Sequence, residues 1–193
     1  MEVAVVESCR EGETSSGDGF LLLTGPSDVL LLVVDALGHG QPAAAVVAQV
    51  AAFVRRAPRR PIEWILERLD DGLTSTRGAV AAVVRISPGL SQLTWASVGD
   101  IQGSVVSGPA RTDLVGMPGI LGGRSQRALP RMVPFGPGDV LCLATDGVLP
   151  EFASELRPFF TPGAIARRVE AHMRSDDDSL ALVAQLTVAG TLR

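Results

Sequence analysis

The strongest constraint on the fold of this chain is the shortness of the links between its apolar runs. Phe20–Thr24 and Val29–Asp35 are joined by GPSD, and Ala79–Ile86 and Gln92–Val98 by SPGLS. Gly-Asp follows Val98 before the run Gly103–Ser107, and GPGD precedes Val140–Thr145. Links this short cannot carry a crossover, so neighbouring runs must pair as antiparallel hairpins. Glu2–Ser8 and Leu180–Val188 complete the expected strands. Pro42–Arg56, Pro61–Ser75 and Pro162–Arg174 are expected helices, each with Pro in the first turn, where a missing N–H costs nothing. Two helices after the third strand, then several strands, then a last helix and strand predict an α+β fold with helices layered on sheets. Residues 1–193 suit one compact domain. The glycine-rich stretch Ser107–Pro137 reads as the most loop-like part.

Composition narrows the chemistry. The chain contains no Lys, no Asn and no Tyr, and only two His, His39 and His172. A lysine Schiff base, a complete Gly-Lys-Ser/Thr phosphate loop and a multi-histidine zinc site are therefore excluded. The net charge of −4 and the scattered arginines argue against a nucleic-acid partner. Their one cluster, Arg55, Arg56, Arg59 and Arg60, surrounds a proline-bearing helix end. Apolar stretches are broken by Asp or Gly before reaching membrane-spanning length, so no membrane segment is expected. The N-terminus has neither the basic start nor the length of a signal peptide, which predicts a cytoplasmic protein with Cys9 and Cys142 reduced.

Acidic residues recur where apolar runs begin or end. Asp18 lies in SSGDG, in the turn before the second strand; Asp35 ends the third strand; Asp146 ends DVLCLATDGV. Asp176, Asp177 and Asp178 precede the closing run SLALVAQLTV. Each has an ordinary reading: Asp18 and Asp146 as turn residues, Asp35 as a helix cap, the triple Asp as a solvated loop. If the strands lie in facing sheets, their tips converge, and oxygen-only ligands suit Mg²⁺ or Mn²⁺. Clustered carboxylates without a cation repel one another, so convergence and metal binding stand or fall together. A rival reading takes Gly38, Gly40 and Ala43 as the dinucleotide fingerprint G-x-G-x-x-A. Asp35 would then oppose the pyrophosphate, and RRAPRRPIEW replaces the second parallel strand that this motif requires.

Asp-x-x-Gly-His-Gly after an apolar strand, followed by an Ala-rich helix, resembles a motif of the bacterial metal-dependent serine/threonine phosphatases, the PPM or type 2C superfamily in its SpoIIE/RsbU branch. The likeness keeps its order along the chain. GDG at 17–19 resembles the first acidic motif, RGAVAAVVRI and LTWASVGDIQG the paired central strands, ATDGV the Ser/Thr-Asp-Gly motif and DDDSLALVAQL the closing strand. The resemblance implies a four-layer αββα sandwich holding two Mn²⁺ or Mg²⁺ ions at one end of its sheets. Carried over residue by residue, Asp35 bridges both ions and the carbonyl of Ala36 binds one. Asp146 and Asp177 hold the other, with Asp178 as the fallback for Asp177, and Asp18 contributes directly or through water. Asp35 and Asp146 are thereby the catalytic carboxylates. The implied substrate is a phosphoserine or phosphothreonine protein, of the RsbR/RsbS kind with STAS domains in a stressosome. The alternative is a phosphatase-fold regulator that binds its partner with weak catalysis or none.

Three positions depart from the family pattern. Ala36 stands where Gly is usual, which a carbonyl ligand tolerates. Asp100 replaces Asn or His and reads as a surface turn. Arg10 is the nearest counterpart of a phosphate-binding arginine. His39 reads as a loop filler, and Arg124 and Arg127 are expected to supply positive potential near the acidic site.

Overall fold

A computed structural model describes residues 1–187. Ten strands form two five-stranded antiparallel sheets. The first sheet holds β2 (Asp18–Thr24), β3 (Val29–Ala36), β4 (Ala79–Ser87), β5 (Gln92–Val98) and β8 (Arg131–Pro134), in that order. The second is ordered β1 (Glu2–Ser8), β10 (Ser179–Gln185), β9 (Val140–Ala144), β6 (Gln102–Ser107) and β7 (Ala110–Leu114). Helices α1 (Gly40–Arg56) and α2 (Ile62–Leu73) cover the first sheet, and α3 (Pro162–Val169) covers the second.

Side-chain alternation along β3 shows how the layers stack. Leu30, Leu32 and Val34 pack with Ala43, Val46, Val50 and Val54 of α1 and with Ile65, Leu66 and Leu69 of α2. Val29, Leu31 and Val33 point the other way, against Leu141 and Leu143 of β9 and Leu180 and Leu182 of β10. A third cluster joins Cys142, Ala181 and Val183 to Ile165 and Val169 of α3. Both faces of β3 are buried, which is why it reads as an unbroken apolar run although its neighbours are antiparallel. Each fully buried Leu, Ile or Val contributes about 1.5–3 kcal/mol. The expected αββα sandwich is therefore observed.

Two strands fall inside the stretch expected to be loop. β7 reads ARTDL and β8 reads RMVP. Both are sheet edges. An edge strand needs neither two apolar faces nor length, and Pro134 and Arg131 suit a strand whose outer rim faces water. The last helix is also shorter than expected, ending at Val169 before a 3₁₀ turn, Glu170–His172. Val188 of the expected final strand lies outside the described residues.

Candidate metal centre

β2 and β3 set the geometry. Their register pairs Asp18 with Asp35 at the end of the ladder, so two carboxylates meet across one sheet. Asp146 lies two residues beyond β9 and Asp177 two residues before β10, which brings the second sheet's loops to the same end. Gly147 makes that approach possible: any Cβ there would run into the backbone carbonyl of Asp178. Asp18, Asp35, Asp146 and Asp177 all line one cleft of about 620 Å³, with Asp100, Asp178 and Arg10 on its walls. Ala36 is fully buried beside it, its amide donating 2.9 Å to Gly17 O, so it can serve the cleft only through backbone.

The cleft carries far more negative than positive charge. Burial, then Asp18, Asp146, Asp100 and Asp177, push the Asp35 carboxyl up to about 8. Burial and the nearby Asp178, Asp146 and Asp177 raise Asp18 to about 7, against the opposing pull of Thr145. Asp146 is raised as well, by burial and by Asp177 and Asp100. Such a set holds either protons or a cation. Every candidate ligand is oxygen, which suits a hard divalent ion that keeps several waters. Among the described residues no three acidic, His or Cys side chains close around a single point, so the carboxylates line the cleft rather than form a finished cage. Mg²⁺ needs only one or two carboxylates with waters filling the rest, and the residues present fit that demand.

Neighbouring groups fix the cluster. The fully buried Thr145 hydroxyl donates to Asp18 Oδ2 at 2.7 Å and accepts the Leu180 N–H at 2.9 Å. Asp178 accepts the amides of Arg10 at 2.9 Å and Gly17 at 2.7 Å, tying the 10–17 loop to the start of β10. Its oxygens are thus engaged, whereas Asp177 accepts one bond, from the Asp178 N–H at 3.0 Å. The exposed Asp176 is forked by Arg174 at 3.0 and 2.9 Å and does not line the cleft.

Several sequence expectations change here. Asp100 is exposed in the bend after β5, as a surface turn would be, and it also lines the cleft. Arg124 and Arg127 do not line the cleft, and Arg127 is paired with Glu67 of α2 at 3.0 Å. His39 faces the cleft with Nδ1 2.6 Å from Glu13 Oε1, which pins the N-terminal loop to the start of α1. Thr145 belongs to the quoted Ser/Thr-Asp-Gly motif, but its partner could not be read there; only the fold brings it under Asp18.

Comparison with known proteins agrees with this architecture. The family model described as "Stage II sporulation protein E (SpoIIE)" matches residues 25–190. The protein named "Phosphoserine phosphatase RsbX", from Bacillus subtilis (strain 168), is 24% identical over 186 residues, covering 95% of this chain and 93% of that one. A crystal structure of RsbX in complex with magnesium superposes with a TM-score of 0.87 at 24% identity, covering 96% of this chain and 94% of that chain. A solved chain described by the words "The bacterial stressosome: a modular system that has been adapted to control secondary messenger signaling" also reaches 0.87, at 28% identity over 95% of this chain and 98% of its own. The resemblance drawn from ordered motifs thus holds across the fold, and the chain belongs to the SpoIIE family of PPM-type phosphatase domains.

Proposed function

We propose that residues 1–193 form one divalent-metal-dependent phosphatase domain, acting in the cytoplasm on phosphoserine or phosphothreonine of a bacterial signalling protein. The observation that carries this reading is the shared cleft, where Asp18, Asp35, Asp146 and Asp177 arrive from separate strand ends with too little positive charge to balance them. Asp35, Asp146, Asp177 and Asp18, with the Ala36 carbonyl, would hold two Mn²⁺ or Mg²⁺ ions. When bound, such ions lower the pKa of a coordinated water and offset charge on the phosphoryl oxygens.

The chain's own groups do the rest. The cleft lining holds no Ser, Thr, Cys or Lys, and in this reading its carboxylates serve the ions, which leaves water as the nucleophile that attacks phosphorus. Thr145 holds Asp18 by a short hydrogen bond that favours its ionised form. Asp178 anchors the loop that carries Arg10, which lines the cleft and is placed to meet a phosphate oxygen. The open mouth has room for a phosphorylated side chain presented on a folded protein.

The names of the similar proteins narrow the partner. RsbX is named a phosphoserine phosphatase, and the structure at 28% identity concerns the stressosome. A phosphorylated STAS-domain protein of that assembly is the substrate we propose. The test is phosphate release from such a phosphoprotein and from a small phosphoester, with Mn²⁺, with Mg²⁺ and with chelator. Metal-dependent release with a much higher kcat/KM on the phosphoprotein supports the proposal. Equal efficiency on a free nucleotide or sugar phosphate leaves a general phosphatase, and no release leaves a binding regulator.

A further inference from the structure

The cleft is walled by Asp18, Asp35, Asp100, Asp146, Asp177 and Asp178, with Arg10 as the cation of its lining. A second cation is held close to the mouth by a separate element. Arg77 lies in the turn between α2 and β4, and this turn is tightly braced. Thr76 donates to Leu73 O through both its amide, at 2.8 Å, and its hydroxyl, at 2.7 Å. The Gly78 amide donates to Thr76 Oγ1 at 3.0 Å, and Gly78 O accepts the Leu37 N–H at 3.0 Å. The turn is thereby fastened to the Leu37–Gly38 segment, which itself lines the cleft.

Gly38 shows where the guanidinium goes. A Cβ at Gly38 would stand 2.5 Å from Arg77 Nη1 and 3.7 Å from its Cδ, so the arginine lies directly over this residue. Gly38 also has φ +98°, a backbone conformation that favours glycine. Arg77 is exposed and, among the described residues, makes no side-chain hydrogen bond or ion pair. Arg68, Arg85, Arg111, Arg127, Arg168 and Arg174 have acidic partners, and Arg77 is one of the arginines that do not, set apart by its place over the cleft-lining Gly38. Nearby carboxylates in the cleft do not claim it, although the chain as a whole is negative by 4. An arginine carried on a braced turn and left unpaired beside a reaction cleft has its planar donor fork available to something that docks there.

We propose that Arg77 is a docking residue for the substrate, pairing with an acidic side chain that flanks the phosphorylated residue. This rests on the phosphatase reading above. An acidic flank would be received on the Gly38 side, away from the carboxylates. An exposed ion pair of this kind changes affinity by about two- to fivefold.

The test uses three phosphoserine peptides that are identical except for Glu, Ala or Arg at the flanking positions. Their kcat/KM is measured with Mn²⁺ for wild type, R77K, R77A and R77E, and their binding is followed in parallel by fluorescence anisotropy. Wild type should prefer the Glu-flanked peptide over the Ala-flanked one by about two- to fivefold, mainly through KM. R77K should keep part of that preference, R77A should abolish it, and R77E should favour the Arg-flanked peptide. A merely structural role for Arg77 lowers kcat/KM on all three peptides together and leaves their ratio unchanged. That result, or a wild type indifferent to the flanks, overturns the proposal. If wild type with Mn²⁺ hydrolyses neither the peptides nor a phosphoserine protein, the phosphatase reading fails by itself, and the anisotropy ranking of wild type against R77E still decides the role of Arg77.

Discussion

Asp18 and Asp35 are direct partners across the β2–β3 ladder, and both carboxyls titrate well above the ordinary carboxylate range, near 7 and 8. Two acids facing each other on adjacent strands are destabilising unless something positive joins them.

That pairing predicts how stability follows pH without metal. Unfolded carboxylates ionise near pH 4, whereas these two hold their protons in the fold to about 7 and 8. Between those limits the folded chain binds more protons than the unfolded one, so stability falls as pH rises. The loss is at most about 1.4 kcal/mol per pH unit for each group. In chelator, Tm should be higher at pH 5 than at pH 8, and Mn²⁺ should restore more at pH 8 than at pH 5. A metal-free Tm that stays level or climbs from pH 5 to 8 contradicts the charge balance described here.

Thr145→Val keeps shape but removes the hydroxyl that serves Asp18 and Leu180. It leaves a buried N–H without its acceptor, at about 1–3 kcal/mol, or a Tm lower by roughly 2–10 °C. It also takes away the one neighbour that favours ionised Asp18, so half-maximal activity should need more Mn²⁺. Thr145→Ser should retain both properties. Thermal scans and Mn²⁺ titrations of the two variants separate these effects, and a valine variant equal to serine in both would remove Thr145 from the account.

The three consecutive acids should respond differently. Asp177→Asn should shift the Mn²⁺ requirement with little change in Tm, since its side chain accepts one short-range bond. Asp178→Asn should lower Tm, because its carboxylate holds the Arg10 and Gly17 amides. Asp176→Asn should do little, its exposed Arg174 pair contributing about 0–1 kcal/mol. If Asp178 instead governs the metal requirement while Tm is unchanged, the ligand assignment moves one residue along.

How far the sequence could be read depends on where each signal resides. β3 and β9 announced themselves because burial on both faces demands unbroken apolar runs, and their acidic tips stood out against them. β7 and β8 were hidden because an edge strand asks little of its residues. The convergence of Asp18, Asp35, Asp146 and Asp177 could be suspected from strand ends, but only sheet packing puts them in one cleft. Thr145 and Arg77 lie in quoted motifs, but their places under Asp18 and over Gly38 could not be read in advance, since both neighbours are far away in the chain. Arg124 and Arg127 misled for the same reason: nearness to a glycine-rich loop says nothing about which side chain already has a partner.

The account turns on Asp35, placed where both sheets deliver their acids. The most direct measurement is Mn²⁺-dependent phosphate release from a phosphoserine protein by wild type and by Asp35→Ala, with the fold of each checked by circular dichroism. Hydrolysis by wild type that stops in chelator, together with a folded Asp35→Ala protein at least about 100-fold slower, is the result predicted for a metal ligand acting on the reacting phosphate. A folded Asp35→Ala protein with near-normal metal-dependent activity would contradict it.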